Sequence, residues 1–62
     1  MTAIQCLRQN GAMQANHIAR VLGWPLEAVY LELVAAETAG HAWIEIERVR
    51  FHPWSIRRWV AL

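Results

Sequence analysis

Apolar positions recur at helical spacing over residues 1–40 and alternate with polar ones beyond, so the chain predicts helices first and strands last. In the opening run, Ile4 and Leu7 share a face, Thr2 is suited to an N-cap, and Asn10-Gly11 is a good helix stop. Together they predict a helix over about residues 2–9. Ile18, Val21 and Leu22 repeat the spacing before Gly23, which predicts a short second helix over about residues 14–22. Trp24-Pro25 opens a third, because proline is tolerated in a first turn where its missing N–H costs nothing. Leu26, Val29, Leu33 and Ala36 then form one inward stripe, closed by Thr38-Ala39-Gly40.

After Gly40 the period becomes two. In His41-Ala42-Trp43-Ile44-Glu45-Ile46-Glu47-Arg48-Val49 the isoleucines share one side and the glutamates the other. His52-Pro53-Trp54-Ser55 has the composition of a turn, and Ile56-Arg57-Arg58-Trp59-Val60-Ala61-Leu62 is rich in strand formers. A tight turn at Pro53-Trp54 predicts that Ile46 pairs with Ala61 and Arg48 with Trp59. The expected fold class is mainly α with a small β-hairpin, in a single domain over residues 1–62.

The order helix, helix, glycine turn, helix, glycine, hairpin resembles the winged helix-turn-helix superfamily. The resemblance is carried by Ile18-Ala19-Arg20-Val21-Leu22-Gly23, followed by Val29, Leu33 and Ala36-Glu37-Thr38-Ala39-Gly40. It covers nearly the whole chain and is similar to small standalone bacterial forms, the FaeA-like fimbrial regulators and FeoC-like proteins. The cysteine cluster of the latter is missing, so an iron–sulfur role is not implied. The resemblance implies three helices and a two-stranded wing, with the third helix as the recognition helix. Winged helices also serve as protein-binding modules, so the fold alone does not decide the partner. Trp24 stands where the family usually has a core-edge apolar residue, and burial is its expected role.

A 62-residue chain buries only ~60% of the surface its unfolded form exposes, which leaves little room for a deep substrate pocket. The apolar fraction of 56% and charged fraction of 18% argue against disorder. Of four tryptophans, Trp43 and Trp59 are expected to pack and Trp54, at the turn, to be exposed. Residues 1–40 carry two arginines against three glutamates; residues 41–62 carry four arginines against two glutamates. All six basic side chains are arginine, which forks onto phosphate and stacks on aromatic rings. Cys6 is the only cysteine, which fits a reducing, cytoplasmic compartment. No signal peptide is apparent, and no apolar run approaches the ~20 residues needed to span a bilayer.

The candidate DNA-binding residues are Tyr30, Arg48, Arg50, His52, Arg57 and Arg58. The basic ones cluster near the expected hairpin tip and can grip phosphates with little regard to sequence. They fit equally a solvated strand face, with Arg58 near Glu47 and other arginines lying over Trp54 or Trp59. Tyr30, on the flank of the third helix, can donate to a phosphate or cap the edge of the core. The outward face of that helix holds Glu27, Leu31, Val34, Ala35 and Thr38. It lacks the Arg, Lys, Asn and Gln that most often read base edges. Glu27, Leu31, Val34 and Ala35 are therefore candidates for contact with a protein partner or a second copy, in a strip rimmed by Glu27, Glu32 and Thr38; scattered surface apolars are the plain alternative.

His17, His41, His52 and Cys6 match no zinc spacing, so no metal site is expected. No nucleophile–base pair, phosphate loop or carboxylate dyad is visible: Ser55 is the only serine and aspartate is absent. Neither enzymatic activity nor a cofactor is expected. The expected function is a small DNA-binding transcriptional regulator that grips double-stranded DNA with its basic wing. The alternative is a winged-helix protein-interaction module or modulator that does not bind DNA specifically.

Overall fold

Thr2 caps the first helix as its position predicts. Its hydroxyl accepts the Gln5 N–H at 3.2 Å, and the Gln5 side chain accepts the Thr2 N–H at 2.9 Å, a reciprocal capping box. The computed structural model describes residues Met1–Leu62. Helix α1 spans Ala3–Asn10 and α2 spans Ala15–Leu22. Gly23 ends α2 in the left-handed conformation, at φ 69°, where a residue without a Cβ pays no steric penalty. Pro25 then caps α3, Leu26–Thr38, its carbonyl accepting the Ala28 and Val29 N–H groups. All three helices lie within one or two residues of the sequence expectation.

The core is made of one stripe from each element: Ala3, Cys6 and Leu7 of α1, Ala15 and Ile18 of α2, Val29, Leu33 and Ala36 of α3, with Met13, Ala42 and Trp59. Trp24 is half-buried and packs at its edge, as expected. Leu26 leaves the expected inward stripe and is exposed. It stands in the first turn of α3, at the edge of a depression shared with the start of α2 and with β2.

The hairpin corrects the expected register. Strands β1, Ala42–Arg48, and β2, Ser55–Ala61, pair antiparallel, but Ile46 faces Arg57 and Arg48 faces Ser55, four positions from the expected pairing. The reason is the turn. The tight bend lies at Arg50-Phe51, closed by the His52 N–H donating to the Val49 carbonyl at 3.1 Å. His52-Pro53-Trp54 only completes a six-residue loop. An even shift leaves every side chain on its expected face. Met13 adds an element with no signal in the pattern: its N–H and carbonyl both bond Trp59, at 3.0 and 2.7 Å, and tie the α1–α2 connection to the free edge of β2.

Candidate interaction surface

Strand alternation divides the hairpin into two chemically different faces. Toward the helices point Ala42, Ile44, Ile46 and Arg48 of β1, opposite Ala61, Trp59, Arg57 and Ser55 of β2. Close to the helices this face supplies core: Ala42 and Trp59 are buried and Ile44 is half-buried. Farther along the strands the same face becomes the exposed pair Ile46 and Arg57, then Arg48 and Ser55. The opposite face carries Trp43, Glu45 and Glu47 against Val60, Arg58 and Ile56.

Arg58 faces Glu45 across the ladder and donates from Nη1 to Glu47 Oε2 at 2.5 Å. This is the one ion pair in the chain, and it is the Arg58–Glu47 contact the sequence suggested. Arg48, Arg50 and Arg57 have no carboxylate partner. The hairpin's acids and their counter-ion therefore lie on one face, and two of its three unpaired guanidiniums, Arg48 and Arg57, on the other. The third, Arg50, stands in the loop with its guanidinium carbon 5.1 Å from the centroid of the Phe51 ring. In the same loop His52 and Trp54 stack, with ring centroids 4.2 Å apart.

The outward face of α3 is also as the helical phase requires. Glu27, Tyr30, Leu31, Val34 and Ala35 line one shallow, almost wholly apolar depression, in which Leu31 is 74% exposed. Glu32 is not part of its rim. Its carboxylate turns to the first helix and accepts the Ala3 N–H, satisfying a donor that has no partner within α1. Tyr30 also lines a second depression, with Gln14 and Asn16 at the start of α2, Leu26 of α3, and Ser55 and Arg57 of β2. Ser55 in turn lines a third, under the hairpin loop, with Arg48, Arg50, His52 and Trp54. Tyr30 lines the first and second of these depressions and Ser55 the second and third, so the three adjoin in a surface that runs from α3, past the start of α2, to the base of the hairpin loop.

The chain matches no protein-family model, no curated protein and no solved structure. No helix is long and apolar enough to cross a membrane. Of the six residues predicted to bind DNA, five lie on this joined surface: Tyr30, Arg48, Arg50, His52 and Arg57. Arg58 does not, because strand alternation turns it to the acidic face. The predicted protein-contact residues Glu27, Leu31, Val34 and Ala35 come together at the other end. No three potential metal ligands come together anywhere: Cys6 is buried against Met13, while His17, His41 and His52 are exposed.

Trp54 is 57% exposed as expected, but Trp43, expected to pack, is exposed on the face turned away from the helices. Sequence reasoning missed Gln14, Asn16, Leu26 and Ser55, which become surface neighbours only once α2, α3 and the hairpin are packed. Phe51, in the loop between the strands, is exposed and lines none of the three depressions.

Proposed function

We propose that the protein is a small DNA-binding transcriptional regulator of the winged-helix type, in which the hairpin is the wing and grips the phosphates of double-stranded DNA. The observation that carries this reading is the segregation of charge on the hairpin. Arg48 and Arg57 project from the face continuous with α3, unpaired, while Glu45, Glu47 and Arg58 occupy the other. Arg48 and Arg57 are diagonal neighbours across the ladder, a relation that sets the two residues ~7–8 Å apart, so their long side chains can reach adjacent phosphates of one strand. Arg50 and His52 extend the donors to the tip, and the Tyr30 hydroxyl with the Gln14 and Asn16 amides extends them toward α3. Contacts of this kind bind the backbone and carry little sequence information.

In this account α3 does not read bases. Its outward strip offers Leu31, Val34 and Ala35, with Glu27 where a phosphate would be repelled. A helix with an exposed apolar strip beside the face already buried in its own core suits a second burial. The occupant is a second copy of the chain, because an apolar helix strip is complementary to itself across a two-fold axis.

The DNA reading is tested by titrating a fluorescently labelled random duplex at low salt. The intact protein is expected to bind, Arg48→Ala/Arg57→Ala to bind at least tenfold more weakly (about 1.4 kcal/mol), and Arg58→Ala to bind as wild type does. Failure of the intact protein to bind duplex would overturn it in favour of the protein-interaction module.

A further inference from the structure

Four residues in the chain have positive φ: Gly11, Gly23, Gly40 and Phe51, the last at 68°. For a bulky side chain this left-handed conformation is an outlier, and turns that need it ordinarily place Gly, Asn or Asp there. Phe51 gains nothing from packing in return. The residue is 90% exposed at the loop tip, with the Arg50 guanidinium over its ring. Three residues on, Trp54 is 57% exposed and stacked on His52. A six-residue loop thus presents two large aromatic rings to solvent, each beside a side chain able to carry positive charge.

We propose that this loop tip is a base-stacking site: Phe51, with Trp54 exposed three residues on, stacks on a nucleobase that has left the helical stack, while Arg48 and Arg50 hold the flanking phosphates. The proposal rests on the DNA-binding reading and deepens it, because it gives the hairpin a preference for locally unpaired DNA. Every base has a π face, so such stacking tolerates any sequence, and a ring at the tip of a narrow hairpin is shaped to enter an opened step. Exposed aromatics beside arginines also suit a lipid interface. Nucleic acid is favoured because Arg48, with Arg50 and Trp54 of the loop, shares a depression with Ser55, which also lines the cleft of Gln14, Asn16, Tyr30 and Arg57, a row of hydrogen-bonding groups suited to an extended phosphate backbone.

The test compares wild type with Phe51→Gly on a labelled intact duplex, on the same duplex carrying a central bubble of unpaired thymines, and on phosphatidylglycerol–phosphatidylcholine vesicles. Wild type is expected to bind the bubble about tenfold more tightly than the intact duplex, the scale of one base–aromatic stack. It should show quenched tryptophan emission on the bubble and no vesicle binding. Phe51→Gly is expected to lose the bubble preference, keep the intact-duplex affinity, and melt at or above the wild-type temperature, since glycine relieves the left-handed backbone. Phe51→Asn, which also tolerates that backbone, repeats the test if the glycine variant melts early. Wild-type binding to intact duplex without a bubble preference would overturn the stacking site and leave the phosphate grip standing. A bubble preference that survives in the folded variants, or Phe51-dependent vesicle binding in its place, would overturn it as well. No binding to either DNA would overturn the DNA-binding reading itself.

Discussion

Glu32 lies at the edge of the buried stripe of α3, next in helical phase to Val29 and Ala36, and its carboxylate reaches the Ala3 N–H at the start of α1. One side chain thus caps a helix it does not belong to. Glu32→Ala is expected to cost ~1 kcal/mol, the usual worth of a capping acceptor, in a urea titration, and Glu32→Gln to recover part of it. Equal stability of all three proteins would show the contact to be idle. At the centre of the same helix Leu33 is fully buried. Leu33→Ala should cost ~2–5 kcal/mol, a large part of what holds a domain this small. A variant melting like wild type would contradict the assigned core. Residues whose fate is local were legible in the sequence: Thr2 as a cap, Gly23 as a stop, Val29 and Leu33 as core. Glu32 and Leu26 were not, because their surroundings come from elements distant in the chain; Trp43 shares the strand face of Glu45 and Glu47, and its bulk misled the expectation that it packs.

Among the elements, the helices were legible and the hairpin only in part. Helix ends carry chemical signatures that act within a few residues, whereas strand register depends on where the turn closes. His52-Pro53-Trp54-Ser55 has the better turn composition, yet the chain bends at Arg50-Phe51. Because the resulting shift is even, each side chain keeps the face that alternation gives it, yet the sequence expectation grouped Arg57 with Arg58 as phosphate contacts, and the ladder places them on opposite faces. The bridge at Met13 left no trace, since a single paired residue has no period. For α3 the same helical phase gives both a buried stripe and the outward strip, and the strip makes a prediction of its own. Leu31→Arg alters a 74% exposed position, so folding stability should change by less than ~0.5 kcal/mol. Sedimentation equilibrium should show wild type associating with rising concentration and the variant remaining monomeric. Monomers in both cases would remove the second copy from the account. An altered choice of DNA sequence by the variant would make α3 a base-reading helix instead.

At the scale of the whole molecule the decisive feature is where charge goes unpaired. A net charge of +1 says nothing about partners, and strand alternation turns Arg58, with its Glu47 ion pair, away from the surface that α3 and the hairpin share. What remains on that surface is Arg48, Arg50 and Arg57 with Tyr30 and His52. If these arginines bind phosphates, each contact releases condensed counter-ions, and the affinity must fall with salt in proportion to their number. The measurement is the slope of log affinity for a random duplex against log salt concentration. With about 0.9 units per neutralised phosphate, the three unpaired arginines predict a slope near −3. It should shrink by about one unit on Arg57→Ala and stay unchanged on Arg58→Ala. A slope near zero, or an equal loss from Arg57→Ala and Arg58→Ala, would contradict the phosphate-gripping hairpin.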